Sequence, residues 1–264
     1  MNKKKFTIIT VCYNAENCIK ETIESLINQT CNDYEYIVKD GVSTDRTLEI
    51  AHALLDGRDN VQIVSCPDKG IYDAMNQAVE LVTGEYVYFL NAGDCFADKE
   101  VLNKAKKMVF KNDGDIIYGN IIQVSNKTKR IYKYGEMCKS KLYFSVGACI
   151  CHQAMFAKRE LFEDKIFDIT YKVCADREWQ LYQMDKKIKM VPMNFEVASV
   201  LMDGFSSRHI EDFEKEILRC LKVYCAKTSW IYKLILGIKK NGIVLFFMRI
   251  IESILLTKKN EMKR

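Results

Sequence analysis

Several widespread sequence signatures are missing from this 264-residue chain, and each absence removes a class of protein. Only two residues are proline, while 48% are hydrophobic and 28% are charged, so a largely disordered chain is excluded. Neither a Gly-x-Gly-x-x-Gly motif nor a Walker-type loop follows the first predicted strand, which disfavours a dinucleotide dehydrogenase and a P-loop enzyme. The length predicts one large domain, or one domain with a substantial appendage.

The pattern of cysteines lacks the features of a disulfide framework and of a zinc site. The chain has eleven cysteines, an odd number, and they are scattered and not spaced as in small secreted proteins. Cys149, Cys151 and His152 lie close together in sequence, but no second pair of ligands stands at the spacing of a zinc site. The cysteines are therefore expected to be free thiols in a reducing cytosol.

Signals for export and for nucleic-acid binding are missing as well. The basic amino terminus leads directly into a predicted strand without an apolar segment of signal-peptide length, so the protein is expected to stay in the cytoplasm. The net charge is +5, and residues 222–264 carry ten Lys or Arg against two Glu, or +8, which leaves −3 for residues 1–221. The basic character belongs to the carboxyl-terminal segment, which argues against a nucleic-acid groove in the main domain.

Residues 6–90 alternate between strand and helix patterns. Apolar, β-branched or aromatic runs end near Val11, Val38, Val64 and Leu90, and each of the first three leads into apolar residues at helical spacing. This alternation predicts a doubly wound, mostly parallel α/β sheet with helices on both faces. In such a sheet, ligands bind beyond the carboxyl ends of the strands.

Polar residues follow each of these four strands. They are Tyr13 and Asn14, then Asp40 and Asp45, then Asp68 and Lys69, and finally Asn91 and Asp94. We expect them to line one ligand crevice at the sheet edge, with Asn14 also capping a helix that begins at Ala15.

The second half of the chain is less regular. The predicted elements are a helix over residues 99–110, a strand over 115–120, a hairpin turning near 125–127, a helix start around 173–182, a strand over 195–202 and a helix over 208–226.

Residues 230–256 are strongly apolar, but charged residues interrupt them twice. Neither uninterrupted piece reaches the roughly 18 to 20 uncharged residues that a spanning helix needs. Basic residues and flanking aromatic side chains favour a pair of amphipathic helices that lie on an anionic membrane surface. Packing of these helices on the protein's own core, or on a second subunit of a homo-oligomer, is the alternative.

Four ordered motifs resemble those of the family 2 glycosyltransferases, which have a GT-A fold. They are Val11-Cys12-Tyr13-Asn14, residues 40–45, residues 68–76 and residues 84–94. The likeness covers residues 6–208 and is strongest to the bacterial, colanic-acid-type branch that builds capsular and exopolysaccharide repeat units. It implies a GT-A domain with two halves and a carboxyl-terminal segment. These are a nucleotide-sugar-binding half over 1–120, an acceptor and catalytic half over 121–208, and a helical, membrane-associating segment over 209–264.

The resemblance also implies which residues bind the nucleotide sugar. Val11, Tyr13 and Asp40 match positions around the nucleotide base, commonly uracil, where a carboxylate can accept from a base N–H beside an aromatic ring. Lys69 resembles a residue near the pyrophosphate, and Arg208 matches a late loop in which an arginine can contact the diphosphate.

The family's metal motif, Asp-x-Asp-Asp, is reduced here to Asn91-Ala92-Gly93-Asp94, and Asp94 is its remaining acid. One carboxylate with two diphosphate oxygens and waters can still hold Mg²⁺ or Mn²⁺, because Mg²⁺ often takes only one or two carboxylates. The resemblance therefore implies that Asn91 and Asp94 bind the ribose and diphosphate, with Asp94 as the metal ligand.

Asp176 resembles the acid that the family uses as general base, which takes the proton of an acceptor hydroxyl as that hydroxyl attacks the anomeric carbon. The family's Glu-Asp pair is Ala175-Asp176 here, so a supporting acid has to come from elsewhere, and Glu178 is the candidate. His152 and Gln153 resemble a pair that lines the acceptor side, with core packing as the alternative.

The implied function is that of an inverting glycosyltransferase. It would move one sugar from a nucleotide sugar, commonly a UDP-sugar, to a lipid-linked or saccharide acceptor in cell-surface polysaccharide synthesis, at the cytoplasmic face of the membrane. Two alternatives stay open at this point. A nucleotidyltransferase of related fold would need a glycine-rich basic loop where Val11-Cys12-Tyr13-Asn14 stands, and a binding or scaffold protein would keep the fold without the chemistry.

Overall fold

The computed structural model describes residues 5–125, 129–134, 139–146, 148–201 and 209–240. The strands are β1 (Phe6–Cys12), β2 (Tyr34–Asp40), β3 (Val61–Ser65), β4 (Tyr86–Phe89), β5 (Cys95–Phe96), β6 (Ile116–Val124), β7 (Lys129–Tyr132), β8 (Met155–Lys158) and β9 (Met190–Leu201). The helices are α1 (Ile19–Ile27), α2 (Thr47–Leu55), α3 (Ile71–Val79), α4 (Val101–Asn112), α5 (Lys141–Ser145), α6 (Glu160–Asp164), α7 (Ala175–Asp185), α8 (Ile210–Tyr224) and α9 (Ser229–Lys240). A short 3-10 helix, His152–Ala154, directly precedes β8.

The described strands form one mixed sheet in the order β3-β2-β1-β4-β8-β6-β9-β5, and β7 pairs with β6. Strands β1 to β4 pair in parallel, as their alternation with helices predicted. Strand β8 runs antiparallel to both β4 and β6, whereas β6 and β9 are parallel. The predicted α/β sheet is confirmed, but it is mixed: β1 to β4 and the pair of β6 with β9 are parallel, whereas β5, β7 and β8 pair antiparallel.

Helices cover both faces of this sheet, so β1 is buried along its whole length. Ile9 of β1 packs in the same core cluster as Met75 of α3, and Ile8 packs in a second cluster with Ile23 of α1. Successive strand residues point to opposite faces, which is why a continuous apolar run is needed here.

Asn14 does not cap the first helix, because α1 begins only at Ile19. Asn14 has φ of 48°, in the left-handed region that asparagine tolerates, and its side-chain oxygen accepts from the backbone N–H of Thr44 at 2.9 Å. It therefore ties the loop after β1 to the loop after β2.

Helices α8 and α9 pack on the second half of the domain. Ile217 and Cys220 of α8, and Tyr232 of α9, are buried in the same core cluster as Trp179 of α7. Residues 241–264, which hold the second half of the predicted amphipathic pair, lie outside the described residues. None of the described helices combines the length and apolar character needed to cross a membrane.

Candidate active site

Asp40 lies at the carboxyl end of β2 and is fully buried. Its carboxylate accepts from the backbone N–H and the hydroxyl of Ser43, at 3.0 and 2.5 Å, and from the hydroxyl of Ser65 at 2.7 Å. The thiol of Cys12, a weak donor, faces the fourth lone-pair position of this carboxylate at 3.8 Å. The ring of Tyr13, which is 65% exposed, lies 3.4 Å from the position that a Cβ atom at Gly41 would take. An exposed aromatic ring thus stands close to a buried, nearly saturated carboxylate.

The loops after β1 and β2 hold each other in place. The backbone N–H of Asn14 donates to the hydroxyl of Ser43 at 2.8 Å. The two oxygens of Asp45 accept from the backbone N–H groups of Thr47 and Glu16, each at 3.0 Å. Asp45 therefore stabilises both the start of α2 and the loop that carries Tyr13.

A buried ion pair that sequence reasoning missed fixes the loop after β3. The ammonium of Lys39 donates to the carboxylate of Asp68 at 3.1 Å and to the carbonyl oxygens of Asp40 and Cys66 at 3.0 and 2.7 Å. All three of its donors are satisfied, which is the condition for burying a charge. A lysine directly after the apolar residues 36–38 of a buried strand is the signal that could have revealed it. The neighbouring Lys69 is exposed.

A tight turn after β4 places Asp94. The backbone N–H of Asp94 donates to the carbonyl of Asn91 at 2.9 Å, and Gly93 has φ of 97°, a conformation that favours glycine. The carboxylate of Asp94 is buried and accepts from the side-chain amide of Gln153 at 2.8 Å. Burial raises the pKa of Asp94 to about 6, and the hydrogen bond from Gln153 opposes that rise.

The imidazole of His152 lies between the turn after β4 and the start of α7. Its Nδ1 is 3.1 Å from the carboxylate of Asp176, and its Nε2 is 3.0 Å from the side-chain Nδ2 of Asn91. Each ring nitrogen therefore has a polar partner, an amide on one side and a carboxylate on the other.

The carboxylate of Asp176 receives donors on both oxygens. Oδ2 accepts from His152, while Oδ1 accepts from the backbone N–H of Arg177 at 2.9 Å and lies 3.1 Å from the hydroxyl of Tyr72. Burial by itself would raise the pKa of Asp176, but the hydrogen bond from His152, together with the charge and the backbone N–H of Arg177, holds it below the ordinary value. Asp176 is therefore ionised at neutral pH. Tyr72 had not been singled out, and its place in a resembling motif is the only sequence signal for it.

Glu216 of α8 fixes the backbone that precedes Asp176. Its two carboxylate oxygens accept from the backbone N–H groups of Lys172, Val173 and Cys174, at 2.7, 2.9 and 2.9 Å. These N–H groups belong to the loop that leads into α7, so an acid from a distant element holds this loop in place.

His152 and Gln153 are neighbours in one short turn, and together they connect Asp176 with Asp94. The sheet explains this meeting: β8 runs antiparallel to β4, so the start of β8 lies beside the end of β4. The structure thus brings together the predicted residues Asn91, Asp94, His152, Gln153 and Asp176.

The expectation that Glu178 supports Asp176 is not met. Its carboxylate accepts from the ammonium of Lys165 at 3.2 Å and from the hydroxyl of Tyr224. Asp176 and Glu178 are two positions apart on α7, so their side chains point in different directions. Glu178 therefore faces α8 and not the site. The contact with Asp176 comes from His152 instead.

Among the described residues, Val11, Tyr13, Asp40 and Lys69 are not hydrogen-bonded to this cluster. The side chain of Val11 is buried in the core. Arg208 lies outside the described residues.

Comparison with known proteins places these features in a family. A family model described as Glycosyl transferase family 2 matches residues 7–164. The PGL/p-HBAD biosynthesis glycosyltransferase of Mycobacterium bovis is 32% identical over 180 residues, which cover 67% of this chain and 68% of the relative. The poly(ribitol-phosphate) beta-glucosyltransferase of Bacillus spizizenii is 29% identical over 195 residues, covering 70% of this chain but only 30% of the relative.

Solved structures share the fold. Staphylococcus aureus TarS 1–349 in complex with UDP-GlcNAc aligns with a TM-score of 0.68 at 20% identity, covering 92% of this chain and 71% of that chain. The mannosyltransferase PcManGT from Pyrobaculum calidifontis, in complex with GDP-Man and Mn²⁺, aligns with a TM-score of 0.62 at 17% identity, covering 88% of this chain and 70% of that chain. Because the family model spans more than half of the sequence, the chain belongs to glycosyl transferase family 2 and is a glycosyltransferase of the GT-A type.

Proposed function

We propose that this glycosyltransferase moves a single sugar, with inversion, from a UDP-sugar to a hydroxyl of a cell-surface glycan or of its lipid-linked precursor. The observation that carries the proposal is the bridge formed by His152 and Gln153, which joins the base candidate Asp176 to the diphosphate-binding candidate Asp94. Relatives named for PGL/p-HBAD biosynthesis and for poly(ribitol-phosphate) glucosyl transfer, and a neighbour that holds UDP-GlcNAc, support the substrate class.

In this proposal Asp176 takes the proton of the acceptor. The acceptor oxygen forms a bond to the anomeric carbon, the bond from that carbon to the diphosphate oxygen breaks, and the hydroxyl proton passes to the Asp176 carboxylate. The bonding electrons leave with the nucleoside diphosphate. Attack on the face opposite the leaving group inverts the anomeric centre in a single displacement.

The donor is proposed to lie along the ends of β1 to β4. Tyr13 and Asp40 would receive the base beside Val11, near the end of β1, and a base N–H would replace the weak Cys12 donor at Asp40. Lys69 is exposed at this edge, and with Arg208 it would contact the diphosphate. A buried carboxylate suits uracil because it accepts from the N–H of that base.

Asp176→Asn tests the base assignment. Transfer should fall about 10²- to 10⁴-fold, the range for loss of a general base, while UDP-sugar binding stays unchanged because the amide keeps the shape of the carboxylate. Radiolabelled transfer assays and calorimetry measure the two effects. Asp59→Asn, at an exposed residue between α2 and β3, is the matched control and should transfer like the wild type. Full turnover by the Asp176 variant would refute the assignment.

We propose that Asp94 holds Mg²⁺ or Mn²⁺ together with the donor diphosphate. No group of three or more His, Cys, Asp or Glu suited to a metal occurs among the described residues, so a resident all-protein site is not built here. A single carboxylate does fit an ion that takes its other ligands from phosphate oxygens and water. The metal would neutralise charge on the leaving diphosphate. The Mn²⁺ bound in the PcManGT structure supports this proposal.

Asp94→Asn should therefore remove the effect of Mn²⁺ on donor binding. In calorimetry, wild-type protein should bind UDP at least tenfold more tightly with Mn²⁺ than with EDTA, a difference of about 1.4 kcal/mol, and the variant should show no such difference. Asp59→Asn should respond to Mn²⁺ like the wild type. An equal metal response in the Asp94 variant would remove Asp94 as the ligand.

In the absence of metal, Asp94→Asn should also be more stable than the wild-type protein at alkaline pH. The pKa of Asp94 is about 6 in the fold, against about 3.9 in an unfolded chain. The folded state therefore binds this proton more tightly, and the stability it contributes is present at low pH and lost as the pH rises through 6. Asparagine avoids burial of the charge, a cost on the order of 2–3 kcal/mol. Urea unfolding in EDTA should show an advantage for Asp94→Asn that grows from pH 4 to pH 8, and equal stability at pH 8 would contradict it.

We propose that α9 and the end of α8 lie on the cytoplasmic face of an anionic membrane. Apolar Val223, Trp230 and Leu234 are exposed there, and Lys227 and Lys233 are exposed on the same segment. Exposed apolar side chains among lysines suit the boundary between headgroups and acyl chains.

Combined Trp230→Ser and Leu234→Ser should weaken binding to phosphatidylserine-containing vesicles at least tenfold, because both side chains lose their burial in the acyl boundary. Flotation of the full chain with vesicles measures this, and added salt should weaken the wild type as well. Phe110→Ser, at an exposed aromatic residue of α4, is the control. Unchanged flotation of the double variant would refute attachment through this surface.

A further inference from the structure

Asn91 stands where the resembling metal motif carries an acid, and here it contacts a histidine. Its Nδ2 lies 3.0 Å from Nε2 of His152, and its backbone carbonyl accepts from the N–H of Asp94. The same imidazole reaches Asp176 through Nδ1 at 3.1 Å. One ring is thus held between an amide that donates and a carboxylate that accepts.

We propose that Asn91 is a positioning residue for the transfer reaction: it keeps Nε2 of His152 free of a proton, so that the neutral ring donates from Nδ1 and orients Asp176. The expected effect on the transfer rate rests on the proposed function, in which Asp176 is the base. The protonation state assigned to His152 does not depend on that role.

The contacts on the two sides of the ring require this assignment. A carboxylate has no proton to give, so Asp176 needs a donor, and the nearest ring nitrogen is Nδ1. In a neutral imidazole the other nitrogen is then an acceptor, and the amide of Asn91 turns its NH₂ group toward it. The opposite orientation of the amide would demand a proton on both ring nitrogens.

An acid at position 91 would break this pattern. A carboxylate there would accept from Nε2, and only a doubly protonated ring can donate to two carboxylates at once. The charged ring would stabilise the ionised form of Asp176 and weaken it as a proton acceptor. With Asn91 in place of an acid, no carboxylate at position 91 competes with Asp176 for the proton of His152.

The orientation of Asp176 depends on this ring because its other contacts come from one side. The backbone N–H of Arg177 and the hydroxyl of Tyr72 both lie at Oδ1, whereas His152 is the partner of Oδ2. If Nδ1 lost its proton, two lone pairs would face each other and Oδ2 would turn away. Misplacement of a catalytic group by about 1 Å can cost about a hundredfold in rate.

The test is the protonation of His152 itself, read by ¹⁵N NMR on the full chain labelled at histidine. The chain has three histidines, so His52 and His209 serve as references and His152→Gln assigns the third signal. At pH 7.5, Nδ1 should give a protonated shift and Nε2 an unprotonated one. A protonated Nε2 in the wild type overturns the proposal, whatever the enzyme activity.

Asn91→Asp should protonate both ring nitrogens at pH 7.5 and lower kcat at least tenfold, with the KM for the donor nearly unchanged. Its kcat should recover as rising pH removes the extra proton, a limb that the wild type lacks. The titratable and charged groups around the ring are Asp176 and Arg177 on α7, Asp94 after β4, Tyr72 on α3, and Cys151. An unprotonated Nε2 in Asn91→Asp would overturn the proposal.

Two variants complete the design. Asn194→Asp makes the same amide-to-acid change at an exposed residue of β9 and should leave the His152 signals and kcat unchanged. His152→Gln can still donate to Asp176, so it should keep more activity than His152→Ala if the ring only positions the base. If Asp176→Asn keeps full turnover while the His152 shifts are as expected, the proposed base fails and the tautomer assignment stands.

Discussion

Two adjacent side chains, His152 and Gln153, connect the parts of this site, because each donates to a different buried carboxylate. Gln153 reaches Asp94 at 2.8 Å and His152 reaches Asp176 at 3.1 Å. The turn that carries them precedes β8, an antiparallel strand inserted between β4 and β6. A strand of opposite direction starts where its neighbour ends, and so it delivers donors to acids that a purely parallel sheet would leave apart.

The two carboxylates differ through their surroundings. Burial raises the pKa of Asp94 to about 6, with one amide hydrogen bond in opposition. Asp176 is also buried, yet a ring N–H, a backbone N–H and a nearby guanidinium hold its pKa below the ordinary value. When Asp94 is charged, burial of that charge lowers the stability of the fold. A bound cation would offset this cost. Environments that separate the pKa values of two acids are typical of sites in which each acid has its own task.

Sequence patterns anticipated the first half of the fold closely. Apolar runs and helical stripes located β1 to β4 with α1 to α3, and the polar residues stand at the carboxyl ends of these strands. The support of Asp176 could not be found in the same way. Glu178 was favoured because it is near in sequence, but helix geometry turns it toward Lys165, and the actual partner comes from a turn 24 residues upstream. The hydrogen bonds of Glu216 to the loop before α7 and the pair of Lys39 with Asp68 are likewise long-range contacts.

By itself, the sequence determined the parallel pairing of β1 to β4 and the polar residue types at their carboxyl ends. Period-two and helical patterns are local, and parallel strands place their carboxyl ends at one edge. Only the tertiary structure decided which donors meet which acids. These hydrogen bonds of about 3 Å depend on strand direction, on the direction in which a helix residue points and on the tautomer of one ring. A local sequence pattern encodes none of these. Asn91 shows the difference: in sequence it is a missing acid, and in the fold it is the donor that leaves His152 free to hold Asp176.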